Sequence, residues 1–287
     1  MKRVLKRVRR EITPGFVWED VPGEHVLACG DARDAAFLRE VLGRVTGPVD
    51  LLLTDPPYAV SSDAVIGNMS GHKDHVLNEP WDRLSEPELE ELLGSICRTA
   101  AELLPGGNVW IWTSDWWLSF LKRWMRTLGY QVRSSFVWCK PNPACSVRKR
   151  NFVSACEFLV VAQGVGAFFD LGAMPRQRNY FVALPEGEWA PAVCPNWVER
   201  GVVSQAERVK RGDGVDLNRA QKPLDLTEAL VRAGCPPGGL VLDVCGGTGT
   251  TLVAADRAGR RCAYLDADPA QVRAAVNRLL RDRRARA

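Results

Sequence analysis

The sequence has little that would suit a secreted, zinc-binding or membrane protein. Its 287 residues include nine cysteines, an odd number, and no two of them form a Cys-x-x-Cys pair. We therefore expect reduced, structural thiols and no metal site. No stretch approaches about 18 uninterrupted apolar residues, and residues 1–10 lack the apolar run of a signal peptide. These absences predict a cytoplasmic protein with no membrane partner.

The net charge is also low, at +4, but it is unevenly distributed. Residues 1–10 carry six basic side chains and no acid, and residues 271–287 carry six arginines against Asp282. Residues 122–150 carry eight basic side chains and no acid, whereas residues 50–91 carry ten acids against two bases. Basic segments of this kind could bind nucleic acid, but solvated helix faces and chain ends would give the same pattern.

Short apolar stretches alternate with helical periods along most of the chain, without internal repeats or low-complexity segments. This alternation is typical of an α/β domain with a largely parallel sheet. Seven strands are predicted, at residues 25–31, 49–54, 108–113, 131–138, 151–162, 240–244 and 261–266. Helices are predicted at about 33–44, from Ser85 to the Pro105 stop, at 115–128, at 222–234, from the glycine-rich turn to about 258, and at 268–282.

Residues 164–217 interrupt this regularity and are rich in Pro, Gly, Arg and polar side chains. Structureless loops of that length are uncommon in compact folds. The segment is therefore either a long functional insertion or a small accessory domain.

The motif Asp55-Pro56-Pro57-Tyr58 directly follows the apolar strand at 49–54. In an open α/β sheet, ligands bind beyond the carboxyl ends of the strands. The Asp55 carboxylate and the Pro56 carbonyl can accept both hydrogens of a planar exocyclic amine, while the Tyr58 ring stacks behind it. A plain Asp-Pro turn would use the same residue types, so the motif alone leaves both interpretations open.

A second motif, VLDVCGGTGTT at 241–251, predicts a strand, a glycine turn and a helix. Glycines at such a turn let a ligand approach the backbone closely. The sequence lacks the Walker pattern GxxxxGK[ST] and does not complete the dinucleotide pattern GxGxxG. The next strand ends in Asp266, which is well placed to bind ribose hydroxyls. A nucleoside without pyrophosphate fits best, and this favours S-adenosylmethionine as the cofactor.

Five features occur in a fixed order along the chain. They are Asp-Pro-Pro-Tyr at 55–58, Trp138-x-Lys140, the strand at 157–161, Gln-Lys-Pro at 221–223 and the glycine motif at 241–251. In this order the chain resembles the amino-methyltransferases of DNA restriction–modification systems, in particular the permuted beta group, over about 25–287 apart from 164–217. The resemblance implies a seven-stranded, mostly parallel Rossmann-like methyltransferase sheet with an antiparallel edge hairpin and a small irregular insertion.

The resemblance also implies roles for individual residues. The target base would be held at a catalytic site formed by Asp55, Pro56, Pro57 and Tyr58. S-adenosylmethionine would be bound by Asp31 near the adenine, Asp266 at the ribose, Gln221, Lys222 and Pro223 over the methionine end, and Asp243, Cys245, Gly247, Gly249 and Thr250 around the methionine pocket.

Two departures from the family pattern concern the cofactor pocket. The family usually reads D-P-F-x-G-S-G, whereas this chain has Val244 and Cys245 and so lacks an aromatic wall. It also has Asn218-Arg219-Ala220 where the family often has His-Pro-Thr. The residues expected to react are intact.

Basic residues near the predicted site are candidates for DNA contacts. Lys140, Arg148, Lys149 and Arg150 follow a strand on the side of the site and are expected to contact phosphates. The segment 164–217 lies where the resembling family places its target-recognition region. Residue types able to read purine edges in the major groove occur there at Arg176, Gln177, Arg178 and Asn179.

The aromatic and histidine residues have simpler interpretations. Six of the ten tryptophans fall within residues 110–138. We expect them to be core residues, except for Trp138 near the site, although stacking on extruded bases would use the same side chains. His72 and His75 lie in the loop 59–83 without a third metal-like ligand, so they are expected to be exposed. This loop is expected to close over bound substrate.

These observations predict a methyltransferase that acts on the exocyclic amino group of a base flipped out of double-stranded DNA, with adenine favoured. The alternatives are the cytosine 4-amino group and a catalytically silent DNA-binding partner with the same fold. A cognate restriction endonuclease and a second copy of the chain are further candidate partners. We expect a basic extension at 1–24, a catalytic half at 25–163, a target-recognition insertion at 164–217 and a cofactor-binding half at 218–287.

Overall fold

The structure is a computed structural model of the 287-residue chain. It describes residues 11–20, 23–59, 65–66, 75–76, 82–141, 155–174 and 197–287. Twelve strands are found in these residues: β1 (Val17–Glu19), β2 (His25–Cys29), β3 (Leu51–Thr54), β4 (Val65–Ile66), β5 (His75–Val76), β6 (Asn108–Thr113), β7 (Gln131–Val132), β8 (Phe136–Cys139), β9 (Cys156–Gln163), β10 (Trp197–Glu199), β11 (Leu240–Asp243) and β12 (Arg261–Asp266). The six helices of the same residues are α1 (Ala35–Leu42), α2 (Glu86–Leu103), α3 (Asp115–Thr127), α4 (Leu224–Gly234), α5 (Thr250–Arg257) and α6 (Pro269–Arg286).

Ten of the strands form one sheet in the order β1-β2-β12-β11-β3-β6-β9-β8-β10, with β7 also paired to β9. The five strands from β2 to β6 in this order are parallel, and β9 runs antiparallel to both β6 and β8. The α/β fold with a mostly parallel Rossmann-like sheet is therefore confirmed. Within the described residues the sheet has ten strands and not the predicted seven, because β1 and β10 extend it at its two ends and the stretch 131–138 is divided in two. The antiparallel hairpin of β8 and β9 consequently lies next to the edge strand β10 and not at the edge itself.

The stretch 131–138, predicted as one strand, is divided into β7 and β8. Val132 pairs with Ala162, whereas Phe136 pairs with Leu159. Four steps along one strand thus face three steps along β9, which is the register of a β-bulge with one extra residue. The single-strand prediction was wrong because the hydrophobic alternation does not reveal this extra residue.

Local sequence explains where several helices begin. Ser85 precedes α2, and its backbone N–H and hydroxyl both donate to the Glu88 carboxylate, at 2.8 and 2.5 Å. The Asp268 carboxylate accepts from the N–H of Ala270, and Pro269 is the first residue of α6. These N-terminal features agree with the known preferences for capping residues and for proline in the first turn.

Helix α6 extends to Arg286, four residues beyond its predicted end. Arg283 forms ion pairs with Asp20 and Asp256, and Arg286 pairs with Asp256 and Asp282. His25 also contacts Asp256, at 3.0 Å. The arginines near the C-terminus are therefore partly neutralised by acids of the same chain, and the last turn of α6 is attached to β2 and α5.

Both faces of the sheet are covered, and its central strands are buried. Trp110 and Trp112 on β6 are only 1% and 2% exposed, as expected for core residues. Trp138, expected near the site, is also buried at 2% exposure. Trp116 on α3 is 75% exposed, so the expectation that it belongs to the core was wrong. Among the described residues, no helix combines the length and the apolar character needed to cross a bilayer.

The irregular segment is only partly described. Residues 164–174 contain a 3-10 turn at Leu171–Ala173, and residues 197–199 form β10, parallel to β8. Part of the segment thus extends the central sheet. Its assignment as a target-recognition insertion, and the division of the chain into the predicted domains, stay predictions.

Candidate active site

Several of the predicted site residues lie at one edge of the sheet, at the carboxyl ends of its parallel strands. Asp55 directly follows β3, Asp243 ends β11 and Asp266 ends β12. Lys140 directly follows β8, which runs in the same direction as β6 because both are antiparallel to β9. Glu157 lies at the beginning of β9, and the antiparallel direction of β9 brings this end to the same edge.

The Asp55 carboxylate is held by two donors from its own chain. The Tyr58 hydroxyl donates to Asp55 Oδ1 at 2.7 Å, and Lys222 Nζ donates to Asp55 Oδ2. Burial is the largest influence on this carboxyl and raises its pKa, with the nearby Glu157 adding to the rise and Lys222 opposing it. Each carboxylate oxygen that we expected to receive a substrate amine therefore already accepts a hydrogen bond.

Lys222 lies at the Asp55 carboxylate, although its predicted place was over the methionine end of the cofactor. Its side chain is 6% exposed, and Nζ also contacts Glu157 Oε2 at 3.0 Å. The rings of Tyr58 and Trp112 each have their centroid 5.5 Å from Nζ. Burial alone would lower the pKa of Lys222, but the two carboxylates outweigh it and the pKa is raised.

Glu157 is a site residue that the sequence did not reveal. Its carboxylate contacts the ammonium groups of Lys222, at 3.0 Å, and Lys140, at 2.5 Å. Burial tends to raise the pKa of Glu157, but the two lysines lower it overall. The available signal was a single acid at the start of an apolar strand, which pairs in register with Trp138.

Lys140, predicted to contact phosphates, pairs with an acid of the site. Its ammonium is paired with Glu157, lies 4.9 Å from the centroid of the Trp138 ring, and its side chain is 19% exposed. The Trp138 indole N–H donates to the Arg200 carbonyl at 2.6 Å. Lys140 thus belongs to the ion-pair network around Asp55, and its contact with DNA stays a prediction.

The backbone of the Asp-Pro-Pro-Tyr turn is fixed from outside the motif. The N–H groups of Tyr58 and Ala59 both donate to Asp82 Oδ1, at 2.9 and 3.0 Å. The Trp117 indole N–H donates to the Tyr58 carbonyl at 3.3 Å. Ala59 has a φ of 49°, which is unusual for a residue with a side chain. These contacts hold the Tyr58 ring in place next to Asp55.

The glycine turn between β11 and α5 leaves no room for side chains at Gly246 and Gly249. A Cβ on Gly246 would lie 2.0 Å from the Tyr264 ring, and a Cβ on Gly249 would lie 2.7 Å from Ala275 Cβ. Gly247 and Gly249 also have positive φ angles, of 52° and 79°. The turn therefore requires glycine both for its conformation and for its close packing.

Asp266 is partly exposed, and its carboxylate oxygens can accept further hydrogen bonds. Its Oδ2 accepts from the Gly247 N–H at 2.7 Å and its Oδ1 from the Asp268 N–H at 2.9 Å. A carboxylate oxygen can accept more than one hydrogen bond, so each oxygen can still receive a hydroxyl. Burial raises the pKa of Asp266 to about 6. The two acceptor oxygens fit the two hydroxyls of a ribose.

Asp243 is buried at 3% exposure beneath the glycine turn. Its Oδ1 accepts from the Thr54 hydroxyl at 2.9 Å and from the Cys245 N–H at 3.2 Å. Burial raises the pKa of Asp243 to about 7. Thr54, the last residue of β3, thereby links the two motifs, although no sequence motif includes it. Cys245 is partly buried, and burial holds the pKa of its thiol well above the ordinary value.

Gln221 fastens the loop before α4 to the glycine turn. Its Oε1 accepts from the Val209 N–H and the Thr248 hydroxyl, both at 3.2 Å, and its Nε2 donates to the Glu207 carbonyl at 3.1 Å. Pro223 follows as the N-cap residue of α4. Both residues therefore adjoin the expected pocket, and Gln221 has its acceptor and a donor occupied by the protein.

Two further predicted cofactor residues are engaged with arginines. The Thr250 hydroxyl accepts from Arg278 Nη1 at 2.8 Å, and burial lowers the pKa of Arg278 to about 10. Asp31 accepts from the Arg33 guanidinium at 2.6 Å, and this hydrogen bond lowers the pKa of Asp31. The Asp31 side chain is 45% exposed, so it remains accessible at the end of β2.

Several predicted DNA contacts cannot be placed. Arg148, Lys149 and Arg150, and likewise Arg176 and Arg178, lie outside the described residues. So do Gln177, Asn179 and most of the loop 59–83, of which only 59, 65–66, 75–76 and 82–83 are described.

The sequence of the chain is similar to those of known DNA methylases, which agrees with this arrangement of the site. A family model for N6/N4 DNA methylases matches residues 49–277, about four fifths of the chain. The chain belongs to this family of DNA methylases. A type II methyltransferase of Streptococcus pneumoniae, M2.DpnII, is 29% identical over 238 residues, which cover 80% of this chain and 82% of that protein.

Solved structures of methyltransferases share the fold. The complex of M1.HpyAVI with SAM has a TM-score of 0.60 at 20% identity and covers 88% of this chain and 98% of its own. The PvuII DNA methyltransferase, described as cytosine-N4-specific, has a TM-score of 0.60 at 17% identity and covers 89% of this chain and 86% of its own. The restriction–modification resemblance is thus confirmed, and S-adenosylmethionine is the cofactor of this DNA methyltransferase.

Proposed function

We propose that the chain methylates the exocyclic N6 amino group of adenine within a specific sequence of double-stranded DNA. The observation that carries this proposal is the placement of Asp55 and Asp266 on the same sheet edge. Asp55 follows β3 and Asp266 ends β12, with β11 and its glycine turn between them. Two strand spacings are about 10 Å, a span that a nucleoside with a short side chain can bridge.

The cofactor half follows from this placement. Asp266 would bind the ribose hydroxyls, the turn at Gly247 and Gly249 would let the cofactor lie against the backbone, and Asp31 would adjoin the adenine. S-adenosylmethionine supplies the methyl group when it is bound. Asp243 acts from beneath the turn, since its hydrogen bonds to Thr54 and to the Cys245 N–H fix the backbone there.

In the catalytic half, Asp55 and the Pro56 carbonyl would accept the two hydrogens of the target amine. Tyr58 would stack on the base after it has left the duplex, since a base within the duplex cannot reach this pocket. These contacts orient the amine for a single displacement, in which a carbon–nitrogen bond would form as the carbon–sulfur bond of the methyl donor breaks. They strengthen as the amine becomes cationic, before it releases one proton to give the neutral methylated base. Cysteine nucleophiles have no role in this scheme, and burial keeps the Cys245 thiol protonated.

Adenine is favoured because the motif begins with aspartate. In the resembling family, Asp-Pro-Pro-Tyr tends towards adenine and Ser-Pro-Pro-Tyr towards cytosine. The alternative substrate is the cytosine 4-amino group, which the family model also covers. A catalytically silent partner is disfavoured because the acid and the aromatic ring of the motif are both present.

The remaining contacts are proposed from position in the chain. The loop that contains Arg148, Lys149 and Arg150 would follow the DNA backbone, and Arg176 and Arg178 would read bases from the target-recognition insertion at 164–217. A cognate restriction endonuclease would share the recognised sequence. Association of two copies of the chain would bring two such insertions to one DNA.

Transfer of a labelled methyl group from S-adenosylmethionine to DNA tests the proposal, with nucleoside digestion and mass spectrometry to identify the product. We expect N6-methyladenine from the wild type and a loss of at least about 100-fold in the Asp55→Ala variant. N4-methylcytosine would establish the alternative substrate. Equal labelling by the two proteins would refute the role of Asp55, and no labelling by either would support the silent partner.

A further inference from the structure

Asp55, Lys222, Glu157 and Lys140 form a continuous chain of alternating charges at the proposed site. Lys222 contacts both carboxylates. Lys140 is the last member of the chain and contacts Oε1 of Glu157, the oxygen that does not contact Lys222. Lys222 is 6% exposed, and Glu157 and Lys140 are 15% and 19% exposed. A charge removed from water to this extent is stable only while it is paired.

The same contacts lie at the Asp55 carboxylate, where the proposed reaction requires the target amine to bind. A target amine that donates to the Asp55 carboxylate meets the Tyr58 hydroxyl at Oδ1 and the Lys222 ammonium at Oδ2. Either oxygen can accept a second hydrogen bond, but the amine becomes cationic during transfer and is disfavoured beside the positive charge of Lys222. The Lys222 ammonium is itself a nitrogen that donates a hydrogen bond to Asp55. It therefore stands in for the amine of the substrate in the described structure.

We propose that Lys222 is a placeholder on Asp55 that the target amine displaces, and that Glu157 is the positioning residue that receives the displaced ammonium. This inference rests on the proposed function. Nζ needs no long movement, since it is already 3.0 Å from Glu157 Oε2. Lys140 holds Glu157 in place from its other oxygen throughout.

The charges of Asp55, Lys222 and Glu157 make the proposal testable by a double-mutant cycle. The three residues together carry −1 in the wild type, 0 in Glu157→Gln, −2 in Lys222→Met and again −1 in the double variant. Without Glu157, the Lys222 ammonium contacts the Asp55 carboxylate but no second one. It should therefore compete more strongly with the target amine for Asp55. Without Lys222, Asp55 and Glu157 repel each other across the Tyr58 hydroxyl, which lies 2.7 Å from Asp55 Oδ1 and 3.2 Å from Glu157 Oε2.

We expect Glu157→Gln to raise the KM for DNA about tenfold while the Kd of S-adenosylmethionine stays near the wild-type value. The Tm should fall, because Lys140 and Lys222 each lose a partly buried partner. The double variant should be more active than the product of the two single effects predicts, by about fivefold or more, because coupled residues are non-additive. Glu102→Gln is the matched control, since Glu102 pairs with Arg39 on the surface.

The possible results distinguish failure of the proposed methyltransferase function from failure of the roles proposed for Lys222 and Glu157. If the wild type does not methylate DNA, the proposed function fails and this inference fails with it. If the wild type is active but Glu157→Gln has wild-type kinetics, or the two substitutions are additive, only the placeholder and its acceptor are refuted. If Lys222→Met instead weakens S-adenosylmethionine binding with no effect on the KM for DNA, Lys222 acts at the methionine end. Weaker cofactor binding with an unchanged KM for DNA in Glu157→Gln would show a merely structural role.

Discussion

The Thr54 hydroxyl donates to Asp243 Oδ1 at 2.9 Å and joins two residues that are 189 positions apart in the chain. Thr54 is the last residue before the Asp-Pro-Pro-Tyr motif, and Asp243 is the last residue before the glycine turn. Thr54 Oγ1 also accepts from the Cys245 N–H at 3.1 Å. The proposed amine site and the proposed cofactor site are therefore linked by hydrogen bonds under the sheet edge.

Asp243→Asn should reduce the dependence of stability on pH. The folded-state pKa of Asp243 is raised to about 7, above the value of about 3.9 in an unfolded chain. Between these values the folded state binds more protons, so the free energy of unfolding falls as pH rises, by up to about 4 kcal/mol at neutral pH. Urea unfolding at pH 5 and pH 8 should show a smaller loss in Asp243→Asn than in the wild type.

The control for this substitution is Asp213→Asn, since Asp213 is exposed. It should keep the slope of the wild type. A wild-type slope in Asp243→Asn as well would mean that the Asp243 carboxyl ionises as readily in the folded chain as in the unfolded one.

Tyr58→Phe and Tyr58→Ala should separate the hydroxyl from the ring. The hydroxyl bonds to Asp55 at 2.7 Å, whereas the ring is expected to stack on the base. Stacking of an aromatic side chain on a base contributes about 1–3 kcal/mol. We expect kcat/KM for DNA to fall less than about fivefold in Tyr58→Phe and about 10- to 100-fold in Tyr58→Ala. Similar losses in both variants would assign the effect to the hydroxyl instead.

Gly246→Ala should destabilise the protein and weaken cofactor binding. The added Cβ would lie 2.0 Å from the Tyr264 ring, which is fully buried and has its hydroxyl bonded to the Gly247 carbonyl at 2.5 Å. Overpacking of this kind costs about 3 kcal/mol. Thermal unfolding and calorimetric titration with S-adenosylmethionine measure both effects. Gly212→Ala is the control, because a Cβ there meets nothing within 4 Å, and it should change neither the stability nor the cofactor affinity. Wild-type stability and affinity in Gly246→Ala would show that the turn can accommodate a Cβ at this position.

Neutral substitutions at Arg148, Lys149 and Arg150 should flatten the salt dependence of DNA binding more than deletion of residues 1–10. Each lost phosphate contact reduces the slope of log K against log salt by about 1. We expect a reduction of about 2–3 for the triple variant. Fluorescence anisotropy with labelled duplex DNA between low and moderate salt measures the slopes. The opposite ranking would assign the DNA contact to the basic N-terminal segment.

The meeting of the two motifs was predictable because it depends on strand direction alone. Residues 55–58 and 244–249 each directly follow an apolar strand, and the carboxyl ends of parallel strands lie at one edge. The same rule places Asp266. Local helix signals were equally informative at Ser85 and Asp268, where the residues responsible are close in sequence.

The contacts around Lys222 could not be derived in this way. They depend on the register of β9 against β8, which places Glu157 next to Trp138, and on the length of the loop before α4. Neither is encoded in a local pattern. The bulge between β7 and β8 was missed for the same reason, since an extra residue in one strand is defined only by its partner strand.

The sheet order also bears on how the protein folds during synthesis. β2 lies between β1 and β12, and β3 lies between β11 and β6. Both strands therefore lack a neighbour until residues 240–266 have left the ribosome, and unpaired strand edges are prone to aggregation. The Asp20–Arg283 ion pair forms later still. The N-terminal half therefore cannot complete its sheet until β11 and β12 are available to pair with β2 and β3.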